Sequence, residues 1–240
     1  NKFAPKGTMD EYLPWVLRGE GPELPLWVKP EAKLSATDLK WIMRDHFEDT
    51  PMDMTKDIGA GPFAVPYRWR PLTYKVDGQE YTHERAIATQ QTGFSFVAEM
   101  NKNRHQAMKG ILWFGTDDAN TCVYLPVFNS TAVAPYQLQH GNGDILTLSW
   151  DANFWVNNYV ANQAYNRYSQ MIPDIRRVQK GLEDGIADAV AAAEKDIAGK
   201  SYTEAQSALA TITNHWAAKA TKDYNCPLNT SNHADKQPRE

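Results

Sequence analysis

What this 240-residue sequence lacks excludes several classes of protein. Its two cysteines, Cys122 and Cys226, are too few for a disulfide framework or a cysteine-rich metal site. A bond between the two stays open, although two unpaired structural thiols are the preferred interpretation. With 25 Lys and Arg against 29 Asp and Glu, the net charge of −4 does not favour nucleic-acid binding. No apolar run approaches the roughly 18 to 20 residues of a membrane span.

Familiar catalytic motifs are also absent from the sequence. There is no GxSxG elbow, no glycine-rich phosphate loop, no HExxH and no CxxC. The six histidines are scattered along the chain. From the residues alone, no group of side chains identifies a reaction.

Aromatic residues, in contrast, are abundant. Eight Trp and eleven Tyr are many for this length. Such side chains line peptide and carbohydrate clefts, and they also fill interfaces between structural elements. The second role is the commoner one, and the sequence does not exclude the first.

The stretch 84–130 predicts a small sheet rich in Phe, Trp, Tyr, Val and Ile. A sheet of so few strands must pack on another layer to be stable. Helical patterns follow it, so the fold class is α+β. The predicted strands are Ala86–Thr92 continuing as Gly93–Met100, Gly110–Thr116 and Thr121–Asn129, with a polar turn at Thr116–Asn120.

The segment before the sheet has two parts. Residues 1–34 contain five prolines, which predict an extended strap with neither helix nor central strand. Ser35 and Asp38 then form a capping pattern for a helix that should end before Pro51. Leu39, Ile42, Met43 and Phe47 would form the apolar face of that helix, and Lys40, Arg44, Asp45 and Glu48 the opposite side. Residues 50–81 predict a long ordered loop with a tight turn at Asp77-Gly78.

The segment after the sheet is mostly helical. A short strand is predicted at Ile145–Leu148, and Asp151 should cap a helix running from Asn153 to about Met171, which Pro173 would end or kink. Apolar residues from Ile175 to Ile197 step by three and four, with Gly199 as the stop. Ser201 and Glu204 form a capping box for a last helix antiparallel to the previous one. The predicted divisions are 1–34, a strand-bearing part 35–150, a helical layer 151–224 and a loose tail 225–240.

Asp117 and Asp118 are the most interesting acids in the sequence. Together with Asn120 they could hold a cation or orient a substrate amine, but the same residues favour a tight hairpin turn for purely structural reasons. Arg85 could pair with either acid or with a substrate carboxylate. His46 stands beside Asp45, and a surface position on the helix is the preferred interpretation for it. Cys122 lies in an apolar run and is expected to be inert.

Six blocks of the sequence together resemble one family. They resemble the C-terminal half of the secreted dipeptidases in the N-terminal-nucleophile hydrolase clan, which also contains penicillin V acylase and bile salt hydrolase. The resemblance extends from about Leu26 to Asp174. The blocks are PLWVKPEAKLS, RDHFEDTPMDMTKDIGAGPF, PYRWRPL, ERAIATQQTGFSFVAEM, GILWFGTDDANTCVYLPVF and GNGDILTLSWDANFWVNNYV.

The resemblance implies an αββα sandwich of two antiparallel sheets between helical layers. It implies a cysteine nucleophile exposed as the first residue after processing, with its own α-amine as the base, and no metal or cofactor. This chain begins with Asn1, and the nucleophile block of the family is not found in it. We therefore carry over no catalytic residue and expect the chain to be incomplete and inactive alone.

The resulting expectation is the C-terminal part of a cysteine-type dipeptidase, with a helical hairpin at its end. Its partners would be a dipeptide and the N-terminal catalytic part of the same protein, and homo-oligomerisation stays open. Arg44, Asp45 and His46, together with Asp117, Asp118 and Asn120, are predicted to border the substrate cleft. Because relatives are mostly bacterial and several carry secretion signals, a periplasmic or extracellular location is expected. The alternative is a noncatalytic peptide- or glycan-binding module with an aromatic surface.

Overall fold

An antiparallel sheet with the order β3-β4-β5 lies at the centre of the computed structural model, which describes residues 3–68, 73–82 and 85–224. The fold combines this sheet with helices, which confirms the α+β class. The strands are β1 Thr73–Val76, β2 Gln79–Thr82, β3 Phe94–Met100, β4 Gly110–Thr116 and β5 Leu125–Phe128. The helices are α1 Leu13–Arg18, α2 Ala36–Met43, α3 Asn153–Asn166, α4 Tyr168–Asp196 and α5 Tyr202–Tyr224.

The two faces of the central sheet differ sharply. Successive side chains of a strand point to opposite faces, and Val97 pairs with Trp113 while Ile111 pairs with Phe128. These four residues are buried and form the covered face, against which α2, α4 and α5 pack. The other face, which we call the open sheet face, carries Phe94, Phe96, Met100, Leu112 and Phe114.

The open sheet face is unusually apolar for an exposed surface. Phe94 is 61%, Phe96 50% and Met100 84% exposed. The rings of Phe94 and Phe114 stack with centroids 5.9 Å apart. A contiguous apolar surface of this kind usually marks an interaction site in a soluble protein.

The prediction that the N-terminal strap contains no helix is wrong. A 3-10 turn at Asp10–Tyr12 leads into α1, and Pro14 lies in the first turn of that helix. A proline is tolerated there because the first backbone N–H groups of a helix have no internal partner. Gly19 ends α1 in the left-handed conformation with φ of 69°. Residues 20–34 form no helix or strand.

The capping box of α2 is confirmed, but its extent and its buried face differ from the prediction. Ser35 accepts from the backbone N–H of Asp38, and Asp38 accepts from the backbone N–H of Ser35. The helix ends at Met43, and Phe47 lies beyond it with a positive φ of 63°. Lys40 and Arg44, which were expected on the outer side, are 3% and 2% exposed.

Partners for the two cations explain this reversal. The Lys40 ammonium lies 4.0 Å from the ring centroid of Trp113, and Arg44 pairs with Glu183. Burial lowers the pKa of Lys40 from its ordinary value. Spacing alone could not show that the cations, and not Trp41, face the sheet, because their partners are distant in sequence.

The long stretch 50–81 contains more structure than predicted. β1 and β2 form an antiparallel hairpin in which Tyr74 pairs with Tyr81 and their rings stack at 5.7 Å. The tight turn at Asp77-Gly78 is confirmed, because both residues have positive φ, 51° and 78°. A 3-10 segment spans Ile58–Phe63.

Two strand predictions are wrong in part, and a third is wrong entirely. Residues 86–92 and 121–124 lie outside the strands, although the runs they belong to continue as β3 and β5. No strand forms at Ile145–Leu148, where Ile145 and Leu146 are 90% and 92% exposed. Apolar residues there satisfied the sequence pattern, but the backbone groups of Asp144 and Thr147 bond each other, so the segment closes into a local turn.

The break between α3 and α4 lies earlier than the sequence predicts. It falls at Arg167, with φ of −146° and ψ of 48°, and α4 runs through Pro173. Because Pro173 lies near the start of α4, only one early helical hydrogen bond is lost. The cap of α3 is also different, since Ala152 occupies that position without a side-chain bond, and Asp151 does not cap the helix.

The C-terminal helical hairpin is confirmed. Its capping box forms as predicted, because the Ser201 backbone N–H donates to Glu204 Oε2 at 2.9 Å and the Glu204 N–H donates to Ser201 Oγ at 3.4 Å. α4 and α5 pack on each other and on β5, and they share one core with the sheet. The predicted tail, including Cys226, lies outside the described residues. Within the described ranges, no helix is both long and apolar enough to cross a bilayer.

Two glycines of α4 provide a matched test of the hairpin. A Cβ on Gly185 would come within 2.5 Å of the Trp216 ring on α5, whereas a Cβ on Gly181 would meet nothing within 4 Å. Alanine favours a helix over glycine by about 1 kcal/mol. We therefore expect Gly181→Ala to raise the free energy of unfolding by about that amount, and Gly185→Ala to lower it, in urea denaturation. An equal gain for both variants would contradict the close approach of the two helices.

Candidate functional site

The predicted turn at Thr116–Asn120 is part of a longer, buried connection between β4 and β5. Asp117 has a positive φ of 65°, and its N–H donates to the Gly93 carbonyl at 2.8 Å. Asp118 and Asn120 are fully buried. The tight hairpin turn considered for these residues is therefore wrong, because β4 ends at Thr116 and β5 begins only at Leu125.

Asp118 and Asn120 belong to a central polar network with Tyr67, Tyr168 and Arg176. The Tyr67 hydroxyl donates to Asp118 Oδ2 at 2.6 Å, and the Asn120 amide donates to the hydroxyls of Tyr67 and Tyr168, each at 3.0 Å. Arg176 donates to the Asn120 carbonyl at 2.6 Å and to its side-chain oxygen. Buried polar groups need such partners, and here nearly every donor meets an acceptor.

Burial has a strong effect on the ionisation of this network. It raises the pKa of Asp118, while hydrogen bonds from Tyr67 and from the Asn120 backbone oppose the rise. Burial also raises the pKa of Tyr67 well above its ordinary value, and the Asp118 charge adds to the effect. Because its pKa is raised, Tyr67 keeps its hydroxyl proton and donates it in the hydrogen bond to Asp118.

Sequence reasoning missed Arg176 and its neighbours on α4. Gln179 donates to the carbonyls of Cys122 at 2.6 Å and Asn120 at 3.2 Å. Glu183 accepts from the Tyr124 N–H at 2.9 Å. A signal was present, because Gln179 falls within the apolar stripe formed by Ile175, Leu182 and Ile186. A polar residue on a buried helical stripe indicates a specific partner.

Arg44 is a structural residue in this fold. Its guanidinium donates to both carboxylate oxygens of Glu183, at 3.1 and 2.6 Å, and to the Cys122 carbonyl at 3.1 Å. Burial alone would lower the pKa of Arg44, but Glu183 raises it above its ordinary value. Removal of one partner from a buried pair leaves an uncompensated charge, so Arg44 is unsuitable as a simple probe of substrate contact.

The surface position expected for His46 is wrong, because its side chain is fully buried. Its backbone N–H and ring Nδ1 contact the Glu48 carboxylate at 2.8 and 3.1 Å, and its ring packs edge-on to Tyr67 at 5.3 Å. Burial raises the pKa of Glu48, but the bonds from His46 outweigh it and lower that pKa to about 2. Since α2 ends at Met43, the helical geometry assumed for His46 does not apply.

Two of the predicted residues face a cavity of about 540 Å³, which we call the helix-side cavity. Arg44 and Asp45 line it, together with Glu48 and Arg176. The central polar network lies directly behind, through the bonds from Arg176 to Asn120. The structure thus brings together the two sequence segments that were predicted to share a cleft. His46, Asp118 and Asn120 do not line the helix-side cavity but lie behind the residues that do. The apolar part of the lining is formed by Phe3, Ala4, Met9, Val28, Pro30, Leu34, Trp41, Ile42 and Ile87.

Asp117 lies on a different side, near a second cavity of about 670 Å³ at the end of the open sheet face. Asn158 lines this sheet-side cavity and donates to Asp117 Oδ1 at 2.9 Å. Burial raises the pKa of Asp117 to about 6, against the opposing effect of the bond from Asn158. The aromatic part of the lining is formed by Phe94, Phe114, Phe154 and Trp155, and polar residues such as Gln137 and Asp144 line it as well.

The remaining candidates have no evident chemical role. Cys122 is a free, buried thiol, and burial raises its pKa to about 12, in agreement with the inert role expected. Arg85 is exposed, and the carboxylates of Asp117 and Asp118 accept hydrogen bonds from Asn158 and Tyr67 instead. No cluster of three or more His, Cys, Asp and Glu within the described ranges could hold a metal ion.

Comparison with known proteins identifies the family of this chain. The family model described as peptidase family C69 matches residues 9–181, which is well over half of the chain. The chain belongs to peptidase family C69. A relative from Latilactobacillus sakei, described as a probable dipeptidase, is 26% identical over 111 residues. That alignment covers 46% of this chain and 20% of the relative, so the match spans about a fifth of the length of that relative.

The raised pKa of Asp117 predicts a distinct pH dependence of stability. Between its unfolded pKa near 3.8 and its folded pKa of about 6, the folded state binds more protons, so the free energy of unfolding should fall as the pH rises. Asp117→Asn should flatten this slope and raise stability at pH 7 by about 1 to 3 kcal/mol. Urea denaturation between pH 4 and 8 measures it.

Asp151→Asn is the matched control, because Asp151 is exposed and directly precedes Ala152, which lines the same cavity. It should leave the slope unchanged. If Asp117→Asn and Asp151→Asn show the same pH dependence, Asp117 does not titrate as the geometry indicates.

Proposed function

We propose that this chain is part of a cysteine-type dipeptidase of the N-terminal-nucleophile kind, whose cysteine lies outside these 240 residues. Membership of peptidase family C69 supports peptide hydrolysis, and the relative described as a probable dipeptidase supports dipeptides as the substrate class. In this proposal the nucleophile thiol attacks the peptide carbonyl, and its own α-amine accepts the thiol proton. The peptide C–N bond then breaks as the leaving amine takes up that proton, and water hydrolyses the thioester and restores the thiol. The present chain would form part of the wall of the substrate cleft and would hold residues that position the substrate.

The observation that carries the proposal is the open sheet face. One face of the β3-β4-β5 sheet is covered by helices, while Phe94, Phe96 and Met100 on the other are exposed. Stacked sheets pack about 10 Å apart with apolar side chains between them. A second antiparallel sheet, supplied by the rest of the protein, would bury this face and complete an αββα sandwich.

In such a sandwich the sheet-side cavity would lie between the layers at one end. Its aromatic wall suits an apolar side chain of a dipeptide, and Asp117 lies beside it through Asn158. A carboxylate there would attract the ammonium group of a dipeptide. We therefore propose Asp117 as a residue that helps to position the substrate, with Asp118 and Asn120 holding the connection that carries it.

The burial of the open sheet face can be tested with Phe96. In the 240-residue chain, where Phe96 is 50% exposed, Phe96→Ser should change the free energy of unfolding by less than about 1 kcal/mol. In the intact protein the same change should cost about 3 to 5 kcal/mol, as for a buried aromatic residue. Ile58→Ser is the control, because Ile58 is fully exposed at 103% and should cost little in both. Equal effects at Phe96 in both proteins would contradict the stacked sheet.

The activity itself is tested by dipeptide hydrolysis. The isolated chain should show no turnover, whereas the intact protein should hydrolyse dipeptides. In the intact protein, Asp117→Asn should raise KM by about tenfold, the effect of one charge-assisted contact, with a smaller change in kcat. Asp151→Asn should leave KM unchanged. Turnover by the isolated chain would refute the missing nucleophile, and an unchanged KM for Asp117→Asn would remove Asp117 from the substrate site.

The proposal extends to location. A periplasmic or extracellular location is proposed because the sequence resembles secreted dipeptidases. Recovery of the native protein from a bacterial periplasm or culture medium would support this location. A noncatalytic peptide- or glycan-binding module is the competing function, and it would be favoured if the intact protein lacks a cysteine nucleophile and binds peptides or glycans without cleaving them.

A further inference from the structure

The hairpin formed by β1 and β2 is exposed along its whole length. All eight of its strand residues are exposed. Its base, in contrast, is anchored on buried residues. Tyr67 precedes the hairpin and donates its hydroxyl to Asp118, and Ala88 follows it and donates its backbone N–H to the Asp45 carbonyl at 3.2 Å. The hairpin is therefore an exposed arm on a fixed base.

The two faces of this hairpin differ in chemistry, because directly opposed residues of paired strands lie on the same face. One face, which we call the aromatic hairpin face, is uncharged and is formed by Tyr74, Val76, Gln79 and Tyr81. The other face is polar, places an ammonium opposite a carboxylate, and is formed by Thr73, Lys75, Glu80 and Thr82. Alternation of this kind is typical of a sheet with one face packed and the other in water.

The aromatic hairpin face is nevertheless exposed to solvent. Tyr74 is 40%, Val76 49% and Tyr81 46% exposed. The stacked rings of Tyr74 and Tyr81 shield each other only in part. A two-stranded hairpin is at best marginally stable in water, unless further strands or another element pack on it. The sequence pattern and the geometry of the hairpin therefore both indicate that another surface covers this face.

The size of the aromatic hairpin face limits what that surface can belong to. Four residues with a rise of roughly 3.4 Å each, in two strands roughly 4.8 Å apart, give a face of about 14 by 10 Å, or about 140 Å². A stable complex of two separate molecules buries about 800 Å² on each of them. A second copy of this chain could not be held by this face alone. Another part of the same protein could, because covalent linkage makes the contact intramolecular.

We propose that the aromatic hairpin face is a docking surface for the part of the protein that supplies the nucleophile. That part would cover Tyr74, Val76 and Tyr81 with an uncharged, apolar surface that offers hydrogen-bond partners to the two tyrosine hydroxyls. The polar face of the hairpin would stay in water. The proposal rests on the proposed function in one respect, the existence of such a part, and it adds a second contact to the one through the open sheet face.

Two cysteine variants on opposite faces of the hairpin test this docking. In the 240-residue chain, the cysteines of Val76→Cys and Lys75→Cys should react with iodoacetamide at rates within about threefold of each other, because both positions are exposed. In the intact protein, the cysteine of Val76→Cys should react about tenfold more slowly or less, because it is reached only when the covering surface opens. Lys75→Cys should keep its rate. Cysteine behaves as a small apolar residue, so Val76→Cys preserves the character of the face.

Peptide mass spectrometry reads each labelled position apart from every other cysteine, and dilution identifies the other occupants. If position 76 is already protected in the 240-residue chain, dilution relieves the protection when a second copy covers it and leaves it unchanged when this chain covers itself. Either result overturns the proposal. Equal rates at positions 75 and 76 in the intact protein overturn it as well.

Dipeptide hydrolysis by the same intact variants separates this proposal from the proposed function. Hydrolysis with an unprotected position 76 would support the peptidase and overturn the docking. Protection of position 76 without hydrolysis would support the docking and refute the peptidase.

A charged substitution provides a second measurement. Tyr81→Lys should lower the melting temperature of the intact protein by about 4 °C or more, since an unpaired charge is unfavourable in a buried contact. In the 240-residue chain, where Tyr81 is exposed, the shift should stay below about 2 °C. Thr73→Lys, on the polar face, is the control and should leave both melting temperatures nearly unchanged. Shifts of equal size from Tyr81→Lys and Thr73→Lys in the intact protein would contradict docking through the aromatic hairpin face.

Discussion

The ion pair between Arg44 and Glu183 is the interaction on which the rest of this structure depends. It joins the end of α2 to α4, and the same two side chains bond the backbone of the β4–β5 connection at Cys122 and Tyr124. Three separate parts of the chain therefore meet at one charged contact. A buried pair contributes to stability only when its geometry is good and most of its other polar groups have partners. Here two direct bonds and two backbone bonds provide such partners, while the buried Nε–H of Arg44 has no acceptor among the described residues.

From this anchor the polar interior extends in one direction. Gln179 and Arg176 on the next turns of α4 hold the carbonyl and side chain of Asn120, and Asn120 in turn orders Tyr67 and Tyr168. The connection that carries Asp117 is thereby fixed from behind. The helix-side cavity and the sheet-side cavity meet this network at different points, because Arg176 lines the first cavity and bonds Asn120, while Asn158 lines the second and bonds Asp117, the residue next to Asp118.

Local features of the fold were predictable from sequence, and long-range partners were not. The capping boxes at Ser35 and Ser201, the Asp77-Gly78 turn and the last helical pair depend on neighbouring residues, so their patterns were sufficient. The buried face of α2 depends on Trp113 and Glu183, which are far away in sequence. The surface position predicted for His46 was wrong for a related reason. The prediction extended α2 through His46, whereas the helix ends at Met43. The candidate acids were identified correctly as unusual, but their environment required Tyr67 and Arg176, which no spacing rule connects to them.

Cys122 has a practical consequence for studies of motion in this protein. Its sulfur is fully buried and burial raises its pKa to about 12, so a thiol reagent can modify it only when the surrounding structure opens. With Cys226 replaced by serine, Cys122 is the single thiol of this chain. The rate of its alkylation would then time the separation of the β4–β5 connection from α4, without any added label. In a longer protein with a reactive cysteine elsewhere, the slow reaction of Cys122 and the fast reaction of the exposed thiol would be resolved as separate phases.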